Sequence, residues 1–483
     1  MAEVRSGGTR PQRAWLDDDA WRRLERRLAG ALRRSRASGA PAVASVTAAT
    51  DGTVDPTAVA VASRRLGERW FCFEQPDRDG SALAGLGCVR ALEARGPDRF
   101  AAIARRWRSL AGAALTDEPD GPPGSGLVGL GGFAFVPDGA ASVRWDGFAP
   151  ASLVVPEVSL ARRTGLVTVT LNAEVAPDDT IDDVLERLRR RLGELRSAPL
   201  PLLDPAPAGA YKVLSPLPPA HFEEAVARAV QRIRAGELEK IVLARDVEVR
   251  APVDHDPAAV LGVLREAFPA CYVFAVGRDD ATFIAASPEL LVRSEGQRAS
   301  TVALAGSIRR SADPAVDDHL GEQLLASDKD RHENEIVATR ITRTLRPHAV
   351  WVAVAPDPVL VRVANIQHLA RPIRAQLASP VGAVELAGLL HPTPAVGAER
   401  WGPFAAKLIP ALEGLDRGWY AGPVGWTDLT GDGEFCVALR CALLRGQVAH
   451  LYSGCGIVRD SDPAAELAES EVKLEALLPL LAG

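Results

Sequence analysis

Lysine is scarce in this sequence: it supplies only five of the 56 basic residues, and arginine supplies the rest. If arginine has replaced lysine wherever a positive charge is enough, the retained lysines mark positions that arginine cannot serve. Lysine changes its pKa readily and arginine does not, so these lysines are candidates for acid–base roles, with chance retention as the alternative for any one of them. They are Lys212, Lys240, Lys329, Lys407 and Lys473.

Features of membrane and secreted proteins are also missing. No run reaches the roughly 18 to 20 consecutive apolar residues that would span a bilayer. The first twenty residues are rich in arginine and aspartate and lack the apolar core of a secretory signal. The six cysteines are scattered and show no C-x-x-C spacing, so we expect free thiols in a reducing compartment. The sequence therefore predicts a cytoplasmic protein with no membrane partner.

Charge excludes a further class of function. The formal net charge is -6, with both signs spread along the chain, so no basic field would attract a nucleic acid. With 483 residues, 47% of them hydrophobic, the chain can bury a core of enzyme size.

The order of predicted helices and strands indicates an α+β fold with large antiparallel sheets. Helices are expected near 97–115 and 179–196, one long helix over about 321–345, and a last helix from Pro463. The Pro/Ala-rich stretch 198–210 predicts a linker. We therefore divide the chain into an amino-terminal part, 1–205, and a second part, 211–483.

Several acidic residues fall on helix faces that should be apolar. Glu333 shares a face with Val337 and Ile341, and Glu466, Glu469 and Lys473 follow one another at helical spacing. Buried carboxylates require a cation, and glutamates from two helices can hold Mg²⁺. The alternative is a set of internal ion pairs, such as Glu469 with Lys473, and spacing alone favours it.

Two other patterns suggest chemistry. Lys240, at the start of a predicted strand, and Glu289 could act as base and acid if burial shifts their pKa values and the fold brings them together. Glycines in the segments 304–307 and 454–456, which we expect to follow strands, could let backbone N–H groups approach an anion.

In their order along about 270 residues, these segments resemble the chorismate-binding enzymes of menaquinone, siderophore and tryptophan pathways. The matching segments are EKIVLAR at 239–245, ASPELL at 286–291, LAGS at 304–307, LASDKDRHENE at 325–335, QHL at 367–369, LHPTPA at 390–395, GPVGW at 422–426, LRCA at 439–442, SGCGIV at 453–458 and ESEVK at 469–473. The resemblance implies a single two-sheet, antiparallel-rich α/β sandwich with helices packed outside. Residues 1–205 would be its variable amino-terminal half and 211–483 its chorismate-binding catalytic region.

The resemblance also implies roles for individual residues. Lys240 would be the base that activates water for attack at C2 of chorismate, and Glu289 the acid that protonates the departing C4 hydroxyl. Glu333 and Glu469 would hold Mg²⁺, with Glu466 nearby, and Arg440 would bind the enolpyruvyl carboxylate. The remaining substrate surface would be formed by Gly306, Ser307, His368, Ala395, Gly454 and Lys473.

Family members differ at positions that favour water over ammonia as the nucleophile here. Amine-adding members usually have glutamine at the position of Lys240, and the aminodeoxychorismate type has lysine at the position of Ala305. The resemblance therefore implies an isochorismate-forming isomerase, most often a monomer, that needs no glutaminase subunit. A salicylate-forming enzyme is the alternative, and a non-catalytic binding protein is a third possibility. The consuming pathway, whether menaquinone, siderophore or salicylate, stays open.

The chain departs from the family pattern in two places, of which we expect the first to be tolerated and the second to lie beside the predicted pocket. Ala285 stands where glycine is common, and residues 397–400 replace a usual Gly-Gly or Ser-Gly turn. Because this second segment follows Ala395, we expect it to alter the shape of the pocket.

Overall fold

The structure, a computed structural model, describes residues 15–118, 120–204 and 208–483. The helices in these ranges are α1 (Asp18–Ser38), α2 (Pro56–Ser63), α3 (Arg99–Ala113), α4 (Ile181–Gly193), α5 (Pro219–Arg234), α6 (Pro257–Ala267), α7 (Pro314–Ala326), α8 (Asp328–Leu345), α9 (Ala383–Leu390), α10 (Pro403–Glu413), α11 (Pro463–Leu474) and α12 (Leu478–Ala482). The strands are β1 (Ala42–Thr50), β2 (Gly67–Gln75), β3 (Ser81–Leu86), β4 (Arg90–Ala94), β5 (Val128–Phe133), β6 (Ala151–Val155), β7 (Val158–Arg163), β8 (Leu166–Val175), β9 (Lys212–Leu214), β10 (Ile241–Arg250), β11 (Tyr272–Asp279), β12 (Ala281–Ser287), β13 (Leu290–Glu295), β14 (Arg298–Arg309), β15 (Ala349–Val354), β16 (Val359–Arg362), β17 (Ile366–Leu377), β18 (Pro423–Asp428), β19 (Gly433–Val437), β20 (Cys441–Arg445) and β21 (Val448–Ile457).

The strands form two large antiparallel sheets. The first has eleven strands in the order β1-β8-β7-β3-β2-β11-β12-β20-β21-β10-β9. The second has the order β15-β17-β14-β13-β19-β18-β5-β6-β4, and β16 pairs with β17 as its tenth strand. Each sheet combines a block of strands from before the predicted linker with a block from after it, joined by the pairing of β2 with β11 in the first sheet and of β5 with β18 in the second, so the two parts of the chain build one fold.

Alternation of side chains along the strands creates the two cores. In β2, Phe71 and Phe73 join a cluster that contains side chains of both sheets, whereas Trp70 and Cys72 join a second cluster with Leu24 of α1. Successive strand residues point to opposite faces, so one face of the first sheet packs toward the second sheet and the other is covered by helices. This confirms the predicted α+β sandwich with helices outside.

Three local predictions need correction or stay open. The predicted long helix is two helices, because Ser327 has an extended backbone and caps α8 by accepting a hydrogen bond from the Asp330 N–H. The glycines at 306 and 454–456 lie inside β14 and β21 and do not follow them. The predicted linker includes residues 205–207, which lie outside the described residues, and the boundary there stays a prediction.

All six cysteines are free, and five are buried. Within the described ranges, no helix combines the length and apolar character that crossing a membrane requires.

Candidate active site

Ten of the twelve residues predicted for the site line one cavity. Its walls come from β10 and β21 of the first sheet, β14 and β17 of the second, and the helices α8 and α11. The ten are Glu289, Gly306, Ser307, Glu333, His368, Ala395, Arg440, Gly454, Glu469 and Lys473. The other two do not line it but form ion pairs with residues that do, Lys240 with Glu333 and Glu466 with Lys329.

Lys240 is fully buried at the start of β10 and forms an ion pair with Glu333. Its Nζ atom lies 2.6 Å from Glu333 Oε1, and the lysine side chain is 0% exposed. Gly456 makes room for this pair, because a Cβ atom there would lie 2.6 Å from Glu333 Oε1 and 2.9 Å from Lys240 Cε. The sequence predicted both charged residues for the site but not their contact.

Glu289 lies between β12 and β13 and is buried. Its backbone carbonyl accepts a hydrogen bond from the Val437 N–H at 3.0 Å, which fixes the turn. Burial raises the pKa of Glu289 to about 8, and the positive charge of Lys240 opposes the rise. The carboxyl group is therefore mostly protonated at neutral pH and can donate a proton into the cavity.

The carboxylates of α11 form the acidic end of the site. One ligand atom from each of Glu466, Glu469 and Cys455 lies within 4.8 Å of the others. Oxygen ligands at this spacing suit a hard divalent cation, so Glu466 and Glu469 fit Mg²⁺, and Glu333 faces the same cavity from α8. The ion pair foreseen as the alternative is also present, since Lys473 Nζ lies 2.8 Å from Glu469 Oε1.

Arg440 and His368 form a second polar part of the cavity wall. Arg440 Nη2 donates to His368 Nε2 at 2.7 Å, so the imidazole is neutral. Burial and the charges of Arg440 and Lys473 hold the pKa of His368 well below its usual range. Arg440 Nη1 is buried without a partner among the described residues, and the backbone φ of Arg440 is 47°. An unpaired buried guanidinium donor at a strained position suits an anionic ligand.

Small residues shape the wall contributed by β14. The register of β14 against β17 shifts between Leu304 and Ser307. Gly306 has φ 83°, and a Cβ atom there would lie 2.9 Å from Asp330 Cβ, so this position requires glycine. Ser307 Oγ donates to Glu469 Oε1 at 3.2 Å. The bulge thus places a hydroxyl group beside the acidic residues.

The unusual segment 397–400 is hydrogen-bonded to the backbone at Lys240 and Val242. Gly397 accepts a hydrogen bond from the Val242 N–H at 2.7 Å, and the Glu399 N–H donates to the Lys240 carbonyl at 3.1 Å. The segment is therefore tied to the backbone of Lys240, and its effect on the shape of the pocket near Ala395 stays a prediction.

Twelve further residues line the cavity that were not predicted for the site, and they include Lys329, Asp330, Tyr420, Tyr452 and Gly456. Tyr420 and Tyr452 stack with their ring centroids 5.2 Å apart and form an aromatic wall. The scarcity of lysine was a signal for Lys329, and Asp330 lay within a matching segment. Nothing in the sequence marked the two tyrosines.

Known proteins resemble the chain over almost its whole length. The model of a family described as "Chorismate binding enzyme" matches residues 30–482. A salicylate biosynthesis isochorismate synthase of Pseudomonas aeruginosa is 38% identical over 85% of this chain and 84% of its own length. The isochorismate synthase MenF of Bacillus subtilis is 31% identical over 87% of this chain and 89% of its own. The solved structure of MenF, the menaquinone-specific isochorismate synthase from Escherichia coli, superposes with a TM-score of 0.75 and 27% identity, covering 95% of this chain and 100% of that one.

Proposed function

The chain belongs to the chorismate-binding enzyme family, and we propose that it is an isochorismate synthase. The observation that carries the proposal is a cavity lined by Glu289, a carboxyl group protonated at neutral pH, with the buried Lys240 in contact with the lining residue Glu333. These are the two groups that an exchange of hydroxyl positions on the ring requires. Relatives that match most of the chain are named isochorismate synthases, which supports the same conclusion.

Acid and base act on different carbons of the substrate. Lys240 acts after it has lost its ammonium proton: its neutral amine accepts a proton from water while the water oxygen bonds to C2 of chorismate, the ring double bonds shift, and the C4–O bond breaks. Glu289 donates its proton to the departing hydroxyl group, which leaves as water. One water enters and one leaves, so the reaction is a reversible isomerisation without a redox step. Burial keeps the acid protonated until it is needed.

Two parts of the cavity wall could each receive one of the two carboxylates of chorismate. Arg440 offers its unpaired Nη1 to the enolpyruvyl carboxylate, and the neutral His368 fixes the guanidinium from the other side. Glu333, Glu469 and Glu466 would hold Mg²⁺ at the acidic end. When bound, the ion would offset the charge of the ring carboxylate and orient the ring. Gly306, Ser307, Ala395, Gly454 and Lys473 would form the remaining substrate surface.

The proposed reaction also determines whether the enzyme needs a protein partner. With Lys240 directing water to the ring, the enzyme needs no ammonia and hence no glutaminase subunit. A monomer and a cytoplasmic location stay predictions from the sequence. The names of the relatives mention both salicylate biosynthesis and menaquinone, so the pathway that consumes the product differs among them.

Product analysis tests the proposal. Purified protein is incubated with chorismate and Mg²⁺, with and without EDTA, and isochorismate, salicylate and pyruvate are separated by chromatography. Isochorismate alone, lost with EDTA, is the expected result. Salicylate with an equal amount of pyruvate would identify a salicylate-forming enzyme. If chorismate stays unchanged with or without added ammonia, the chain is a binding protein.

A further inference from the structure

Each glutamate assigned to the metal site is paired with a lysine. The pairs are Lys240 with Glu333 at 2.6 Å, Lys473 with Glu469 at 2.8 Å and Lys329 with Glu466 at 3.8 Å. Three of the five lysines in a chain that otherwise uses arginine thus lie against these three carboxylates. This coincidence indicates that lysine and arginine are not interchangeable beside these three carboxylates.

Lys329 is the one of the three without a role in the proposed reaction. It lies in the first turn of α8 at the cavity wall, and its side chain is 53% exposed. Its partner Glu466 is only 4% exposed. A buried carboxylate needs a cation close by, and Lys329 supplies one from the solvent side.

Lysine suits a pairing that must be broken. Its ammonium is a compact charge on a flexible stem, whereas the planar guanidinium of arginine binds both carboxylate oxygens as a fork. Arginine at this position could therefore hold the oxygens that a metal needs. The long separation and the exposure of Lys329 also make this pair the weakest of the three.

We propose that Lys329 is a displaceable counter-ion of the metal site. Its ammonium group neutralises Glu466 while the site holds no metal, and it moves toward solvent when a divalent cation takes the carboxylate. Lys329 thereby lowers the affinity for Mg²⁺ and stabilises the metal-free site. The inference rests on the proposed metal site and adds to it a residue that competes with the ion.

Direct metal binding by the full-length protein tests the inference. Free Mn²⁺ is followed by its electron paramagnetic resonance signal during titration, and Mg²⁺ affinity is obtained by competition. Lys329→Met should bind both ions roughly twofold to fivefold more tightly, the range expected for losing an exposed ion pair. Lys329→Arg should bind them more weakly than Lys329→Met and no more tightly than the wild type.

Lys407→Met is the matched control. Lys407 is exposed on α10 and does not line the cavity, so this variant makes the same change of net charge away from the site. It should bind Mn²⁺ as the wild type does. An equal gain in both Met variants would mean that overall charge is the cause, and the inference would fall.

Other outcomes separate this inference from the proposed function. If the wild type binds Mn²⁺ and Lys329→Met binds it equally well, Lys329 does not compete with the metal and the metal site stands. A higher KM for chorismate with unchanged metal affinity would make Lys329 a substrate contact and overturn the inference. If the wild type itself binds no Mn²⁺, the proposed metal site is refuted together with its counter-ion.

Discussion

Replacing Glu289 by glutamine removes the proposed acid while keeping the shape of the side chain. A carboxyl group with a pKa of about 8 is about 90% protonated at pH 7, whereas one at the ordinary value of 4.5 is well under 1% protonated. The wild type should therefore lose kcat as the pH rises through about 8. Glu289→Gln should lower kcat by about 10²- to 10⁴-fold and abolish this alkaline decline. Initial rates of isochorismate formation from pH 6 to 9.5 measure both effects.

Stability provides the control for this variant. Because the pKa of Glu289 in the folded protein lies above that in the unfolded chain, the folded state binds its proton more tightly, and stability falls as the pH rises from about 4.5 to 8. Glutamine carries no such proton, so Glu289→Gln should be at least as stable as the wild type at pH 9 in urea unfolding. A folded variant that keeps most of its kcat and the same alkaline decline would refute Glu289 as the acid.

Three further substitutions test other parts of the site, and a fourth tests a buried ion pair outside the cavity lining. Lys240→Ala should abolish turnover while chorismate binding stays measurable by calorimetry, and retained activity would remove it as the base. Glu469→Gln should raise the Mg²⁺ concentration for half-maximal rate several-fold, and an unchanged Mg²⁺ titration would contradict its assignment as a ligand. Gly456→Ala should lower kcat sharply with little change in circular dichroism, because its Cβ would lie 2.6 Å from a Glu333 oxygen; wild-type kinetics would show that the pair need not be kept. Arg417 forms a buried ion pair with Glu413, so Arg417→Met leaves the Glu413 carboxylate unpaired. The free energy of unfolding in urea should fall by about 3 to 5 kcal/mol. A fall of less than about 1 kcal/mol would show that the Glu413 carboxyl group becomes neutral at little cost.

Sequence periodicity was enough to predict most elements because their apolar faces are continuous. The helices over Arg99–Ala113 and Ile181–Gly193 agree with the predictions near 97–115 and 179–196. The break at Ser327 was missed because the residues on both sides favour helix and the cap depends on one hydroxyl group. The pairing order of the two sheets joins strands more than 100 residues apart, such as β2 with β11, and no local pattern specifies it.

The sequence was enough to predict which residues belong to the site, but most contacts between their side chains could not be predicted from it. Acidic residues on apolar helix faces indicated that Glu333, Glu466 and Glu469 needed cations, but spacing within a helix could identify only the Glu469–Lys473 pair. Lys240 and Glu333 lie far apart along the chain, and their contact depends on how β10 packs near α8. Arg440 shows the same limit, since its positive φ arises from the turn between β19 and β20.

Charged groups buried at this cavity need partners of opposite charge, and the groups that lack one favour a dianionic substrate. The burial that raises the pKa of Glu289 would make any unpaired charge nearby costly. Lys240 and Glu469 each meet this demand with a partner of opposite charge, whereas Arg440 keeps a buried donor free. We therefore expect an anionic group to bind most favourably beside Arg440 and a cation to bind most favourably beside Glu466. The proposed substrate, a ring with two carboxylates, would satisfy both positions at once if Arg440 held one carboxylate and the proposed Mg²⁺ held the other.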